Sequence, residues 1–153
     1  SMLKEIVEKG YYCFEKRFDS WEDAIRASYR PLLKDGTVEE VYVQAVIDCV
    51  NKYGPYIVIV PDIAMPHSTE GAQGCNGTAI SFMKVEEAVD FDPSDPDKKA
   101  RLFFSLAAKD HEQHMQNIQA LMDTLMNEEI VEALLKAATK EELSAIAEKY
   151  ENE

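Results

Sequence analysis

Apolar positions along the chain fall into two kinds of segment: stretches with helical period, and short continuous runs. Leu3 to Gly10 is polar and reads as a short helix. "YYCFEKRF" (Tyr11–Phe18), aromatic-rich and preceded by Gly10, reads as a strand. In "SWEDAIRASYRPLLKDG", Ser20 is placed to cap a helix with Trp21, Ala24, Ile25, Ser28 and Leu32 on one face, which Pro31 should kink or end. "TVEEVYVQAVIDCVNKYG" predicts a further helix. Thr37 and Glu40 form its capping box, Val38, Val41, Ala45, Ile47 and Val50 its apolar face, and Gly54 its end.

"PYIVIV" and "RLFFSLAA" are continuous apolar runs that predict buried strands. "GTAISFMKV" predicts another strand, and "DFDPSDPDKKA" a loop. The rest is helical. Asp110 caps a helix carrying Ile118, Leu121, Met122 and Leu125, a second helix follows Asn127, and a third starts at Thr139 with Glu142 as its box partner. Strands interleaved with helices imply an α/β protein, a mixed β-sheet flanked by α-helices in a single domain over residues 2–153.

Composition narrows the class. With 153 residues, 46% hydrophobic and 29% charged, the chain can bury a real core. A net charge of −13 excludes nucleic acid and an anionic membrane surface as partners, since both need clustered Lys and Arg. The apolar runs are too short to span a bilayer, so no membrane insertion is expected, and no signal-peptide pattern opens the chain. Three scattered cysteines, Cys13, Cys49 and Cys75, read as reduced thiols of a cytoplasmic protein. Ser1 ahead of Met2 reads as a remnant of expression.

The candidate chemistry lies in "VIVPDIAMPHST" (Val58–Thr69), where a β-branched run delivers His67, behind Pro66, to the strand's exit. Three readings compete. His67 is a quiet structural histidine, or it joins His111 and His114 in a three-histidine metal site, or it is a nucleophile. As a nucleophile, neutral imidazole could take up a phosphoryl group and release it to another acceptor. Ser68 and Thr69 would then be phosphate-binding candidates, and His114 would sit near helix N-terminal amides that favour an anion. Spacing alone leaves the three open. Metal binding is disfavoured because neither the histidines nor the cysteines show ligand spacing.

"IAMPHS" (Ile63–Ser68) resembles the active-site signature of the mannitol/fructose-type enzyme IIA components of the bacterial sugar phosphotransferase system. "GPYIVIVPDIAMPH", "AVDFD" and "ARLFFSLAAKDHEQHMQNIQALMDTL" follow in the family's order, and the "GPYIVI" lead-in looks most like the L-ascorbate-type branch. The resemblance implies a phosphotransferase without metal or organic cofactor. His67 would be phosphorylated by the histidine phosphocarrier protein and would pass the group to a cysteine of enzyme IIB, with the membrane permease IIC served indirectly. His114, in the pair His114–Met115, matches the family's second active-site histidine, and His111 does not. A regulatory phosphohistidine module is the alternative.

The chain departs from the family at three places: Asp62 where Gly is frequent, Ser68 where Gly or Ala is, and Thr69 where ascorbate-type members often carry Arg. Asp62 reads as a solvated turn residue, His111 as a surface residue, and Cys75 as a small loop residue. Met115, Met122 and Met126 read as helix core.

Overall fold

A computed structural model describes residues 1–150 of the chain. Its elements, in order, are α1 (Met2–Lys9), β1 (Tyr12–Glu15), α2 (Trp21–Ser28), α3 (Arg30–Lys34), α4 (Glu40–Tyr53), β2 (Val58–Val60), β3 (Asp62–Ala64), β4 (Ala79–Asp90), β5 (Lys99–Ala107), α5 (His111–Leu125), α6 (Glu128–Lys136) and α7 (Lys140–Tyr150). The strands form one mixed sheet in the order β1-β4-β5-β3-β2. β1 runs parallel to β4 and β3 parallel to β5, while the β4–β5 and β2–β3 pairs are antiparallel. The predicted α/β class and flanked mixed sheet are the observed architecture.

Alternation along the central strands feeds two cores. Met83, Val85, Phe103 and Ala107 face α2, α3 and α4, which supply Ala24, Ile25, Leu32, Val43, Val46 and Ile47. Ile80, Phe82, Leu102, Phe104 and Leu106 face α1, α5, α6 and α7, which supply Leu3, Ile6, Leu121, Ile130, Leu134, Leu143 and Ile146. In the first core three hydroxyls close a polar cluster. Ser105 donates to the Ser28 hydroxyl and Ser81 to the Ser28 carbonyl, both at 2.7 Å, while Ser28 itself donates to the Ile25 carbonyl at 2.6 Å. Stranding any of these buried hydroxyls would cost ~1–3 kcal/mol, so the cluster fixes where the end of α2 meets the sheet.

Several expectations are corrected. The Thr37–Glu40 capping box does not form. Thr37 donates its hydroxyl to Asp35, and α4 begins at Glu40 behind Glu39, which makes no side-chain cap bond. Tertiary contacts override the local signal there: Val38 bridges to Cys75, and the Glu39 amide donates to the Gly74 carbonyl at 2.8 Å. Gly74 has φ +89°, and a Cβ on it would meet Val41 Cγ1 at 2.7 Å, so only glycine lets this loop lie on the first turn of α4. The buried face of α4 is rotated accordingly. Tyr42, Val43, Val46, Ile47, Cys49 and Val50 are inside and Val41 is exposed.

"PYIVIV" is buried only at its start. Ile57 and Val58 are inside, but β2 is an edge strand whose Ile59 and Val60 are exposed. β3 is an additional short strand, and β4 runs on to Asp90, past the predicted end. Pro31 divides the predicted helix into α2 and α3, and lies in the first turn of α3 where its missing N–H has no role. Of Met115, Met122 and Met126 only Met122 packs against the core, as the other two are exposed. Asp110, Asn127 and Thr139 do act as helix caps, accepting from the amides of Gln113, Glu129 and Glu142. Among the described residues no helix is long and apolar enough to cross a membrane.

Candidate functional site

Parallel pairing of β3 and β5 places their carboxyl ends at the same edge of the sheet, where open α/β sheets build their ligand sites. The backbone stays in register just past β3: the Met65 amide donates to the Ile57 carbonyl at 2.8 Å and the Leu106 amide to the Pro66 carbonyl at 2.9 Å. The chain then leaves the sheet at His67. β5 leaves nearby at Ala107 and turns into α5, with Asn117 clamping the helix by donating to the Ala107 carbonyl at 3.0 Å. This topology brings together His67 and His114, whose ring centroids lie 5.2 Å apart. Both line an open groove of about 490 Å³ with Tyr42, Ser68, Thr69 and Asp110. His111 is exposed at the same groove.

The His67 ring is half-buried, and its Nδ1 lies 2.7 Å from the Met65 carbonyl. A carbonyl only accepts, so Nδ1 carries the proton and Nε2 keeps its lone pair. Burial pulls the His67 pKa below its ordinary value, although the Met65 bond opposes this. His114 is likewise lowered, first by burial and then by the charges of His67 and His111. Both rings are therefore neutral near pH 7.

A pH dependence follows. Because the folded pKa of His67 lies below the unfolded one, the stability this group supplies is present above about 6.5 and is lost as pH falls through the folded value. NMR titration should place the His67 midpoint below the ordinary imidazole range. The acid limb of phosphoryl uptake should follow that midpoint. A midpoint at or above about 6.5 would contradict the assignment of a buried neutral ring.

Three tyrosines grip consecutive residues of the histidine loop. Tyr29 donates to the Pro66 and Leu106 carbonyls, each at 2.8 Å, Tyr56 donates to the His67 carbonyl, and Tyr42 accepts from the Ser68 amide at 3.1 Å. The Tyr56 ring also stands edge-on to His67 with centroids 5.2 Å apart. The sequence reading missed all three. The available signal was a phenol on an otherwise apolar face, because a buried tyrosine hydroxyl must find a partner.

Ser68 and Thr69 lie on the groove, but their hydroxyls contact Cys49, with Ser68 Oγ at 3.6 Å and Thr69 Oγ1 at 3.7 Å from its Sγ. The Ser68 hydroxyl also accepts from the Glu70 amide at 3.1 Å. Burial pushes the Cys49 thiol up, yet the Thr69 amide and the two hydroxyls outweigh it and lower the pKa. Cys75 is raised by burial, which suits a loop residue rather than a reactive thiol. Asp62 is exposed as expected, but it opens β3 rather than lying in the turn, which falls on Pro61. Asp110 satisfies the Gln113 amide at 2.9 Å, so this capping carboxylate occupies part of the α5 N-terminus that would otherwise favour an outside anion. The groove lining includes no Lys or Arg. Among the described residues no group of three or more His, Cys, Asp or Glu side chains is arranged to hold a metal ion.

The protein is thus a three-layer α/β domain with two facing histidines in a groove at the carboxyl ends of parallel strands. Residues 5–150 match the family described as "Phosphoenolpyruvate-dependent sugar phosphotransferase system, EIIA 2". The chain belongs to that family and is a phosphotransferase, an EIIA component of a sugar phosphotransferase system.

It is 36% identical over 126 residues to the mannitol-specific cryptic phosphotransferase enzyme IIA component of Escherichia coli K12, covering 82% of this chain and 84% of that one. The ascorbate-specific EIIA component of the same organism is 27% identical over 139 residues, covering 90% and 89%. The solution structure of the E. coli cryptic mannitol enzyme IIA superposes with a TM-score of 0.82 at 32% identity, covering 95% of this chain and 97% of that one. The E. coli enzyme IIA mannitol in complex with phosphorylated enzyme IIB mannitol superposes with a TM-score of 0.71 at 29% identity, covering 89% and 92%.

Proposed function

We propose that His67 is the phosphoryl carrier of this component and that Nε2 is its nucleophilic atom. The observation that carries the reading is the 2.7 Å contact from Nδ1 to the Met65 carbonyl, which commits the ring proton and leaves Nε2 free. In the forward step the Nε2 lone pair forms the new N–P bond as the P–N bond of the donor's phosphohistidine breaks, and the donor imidazole keeps that electron pair. The donor is the histidine phosphocarrier protein. In the second step a cysteine thiolate of enzyme IIB attacks phosphorus, and the electron pair of the N–P bond returns to Nε2. The mannitol IIA–IIB complex supports this choice of acceptor. An open groove suits transfer between two macromolecules, because each partner's reacting atom must reach His67.

His114 faces His67 and is the second catalytic group. A phosphoryl dianion on His67 would raise its pKa, turning it into a charged donor when negative charge is present. Ser68 and Thr69 are further phosphate contacts if their hydroxyls rotate from Cys49 toward the groove. The sugar moved by the wider system is L-ascorbate or a related compound, a reading that rests on the "GPYIVI" lead-in and the ascorbate-specific relatives. Mannitol is the second reading, favoured by the cryptic mannitol relative.

The test is reconstitution with enzyme I, the phosphocarrier protein and phosphoenolpyruvate. One acid-labile phosphoryl group should appear, and NMR of the labelled protein should place it on Nε2 of His67. Label on Nδ1, or on another residue, would overturn the assignment. Transfer onward to ascorbate-type or mannitol-type enzyme IIB distinguishes the two sugars.

A further inference from the structure

We infer that the Tyr42 hydroxyl is a third catalytic group, one that turns its proton into the groove and donates it to the phosphoryl group carried on His67. The inference rests on the phosphocarrier reading of His67 and adds to it. Two observations carry it. The first is the scarcity of cations: the lining includes no Lys or Arg, so polar hydrogens and the histidines are the groups there that can meet the phosphoryl charge. Neutral donors aimed at the developing charge can do this where water is excluded.

The second is a difference between the three tyrosines. Tyr29 and Tyr56 commit their protons to backbone carbonyls, Tyr29 at 2.8 Å and Tyr56 to His67 itself, and neither lines the groove. Tyr42 does line it. Its oxygen already accepts from the Ser68 amide at 3.1 Å, which leaves its own proton to be placed. The Leu106 carbonyl accepts it only at 3.5 Å, at the limit of a hydrogen bond, while accepting from Tyr29 at 2.8 Å. The phenol also hydrogen-bonds the Tyr29 hydroxyl and the Cys75 thiol, the latter a weak acceptor. An anion arriving on His67 would be a far better acceptor than any of these. Burial pushes the phenol up to about 12, so it carries its proton at every pH at which the system works.

The placement has a local cause. Tyr42 is in the first turn of α4, held from outside by Gly74 and from inside by the edge-on Tyr29 ring at 5.8 Å. That fixes the phenol ring beside the groove before any phosphoryl group arrives.

Tyr42→Phe removes the hydroxyl and keeps the ring. The variant should still be labelled on His67 but should pass the group to enzyme IIB about 10²-fold more slowly. The ³¹P titration of its phosphohistidine should move to higher pH, because a donor to the phosphoryl oxygens has gone. Tyr56→Phe, which loosens the same loop without touching the groove, should leave that titration in place. In wild-type protein carrying ¹³Cζ-labelled tyrosine, the Tyr42 resonance should shift on phosphorylation. A wild-type transfer rate and unmoved ³¹P titration in Tyr42→Phe would overturn the inference alone, as would an equal ³¹P shift in Tyr56→Phe. If Tyr42→Phe does not fold, an unmoved Tyr42 resonance in the wild type overturns it. Failure of the wild type to be labelled on His67 removes the phosphocarrier reading, and this inference with it.

Discussion

His67→Ala should take up no phosphoryl group from the phosphocarrier protein and should pass none to enzyme IIB. The loss should be complete rather than partial, because no neighbour can stand in for the nucleophile. His114 is the nearest imidazole, 5.2 Å away between ring centroids, but it rides on α5 and lacks the Met65 carbonyl that fixes the His67 ring. The fold should survive, since His67 is only half-buried and its loop is held through backbone groups by Tyr29, Tyr42 and Tyr56. The measurement is radiolabel from phosphoenolpyruvate after gel separation, with the thermal midpoint recorded in parallel. Label retained in the folded variant would sink the assignment.

His114→Ala has the second largest effect, and its signature is different. The variant should fold and still be phosphorylated on His67, yet transfer to enzyme IIB should slow by ~10²–10³, the usual cost of one donor aimed at developing charge. Its resting pKa is held down by burial, so it begins neutral, and the incoming dianion is what draws a proton onto it. His111→Ala is the control. That residue is exposed and its side chain makes no hydrogen bond among the described residues, so its transfer rate should stay near wild type. Single-turnover transfer from each phosphorylated variant decides the matter. A crippled His111→Ala beside a normal His114→Ala would show that the two roles had been exchanged.

The elements most legible in the sequence are those whose signals are local. Asp110, Asn127 and Thr139 cap α5, α6 and α7 because each needs only its own first turn. Where a distant partner decides, local reading fails. The Thr37 box yields to the bridge between Val38 and Cys75. The run ending at Val60 looks central, yet β2 pairs only with β3, and nothing in an apolar run says how many neighbours its strand will have. β3 has three residues, too few to show a period. His67 stood out by its place after Pro66, but its pairing with His114 is a product of parallel strands, and only the family resemblance singled out His114 over His111. Neither Tyr29 nor Tyr42 is on a predicted apolar helix face, because a phenol reads as polar or apolar until its hydroxyl's partner is known.

The open side of β2 bears on how such a protein lives among its copies. An unpaired strand edge with exposed Ile59 and Val60 is a template for strand addition and aggregation. Here it is blunted in several ways at once. The strand has only three residues, its register slips between Val58 and Val60, Pro61 follows directly, and Lys98 reaches over to donate to the Val58 carbonyl at 3.2 Å. Asp62, the only described non-glycine residue with positive φ at 77°, then turns the chain sharply back. Few backbone groups remain for a foreign strand to pair with, and a charged side chain stands on one of them. Two copies that collide through this edge therefore find little on it to pair with.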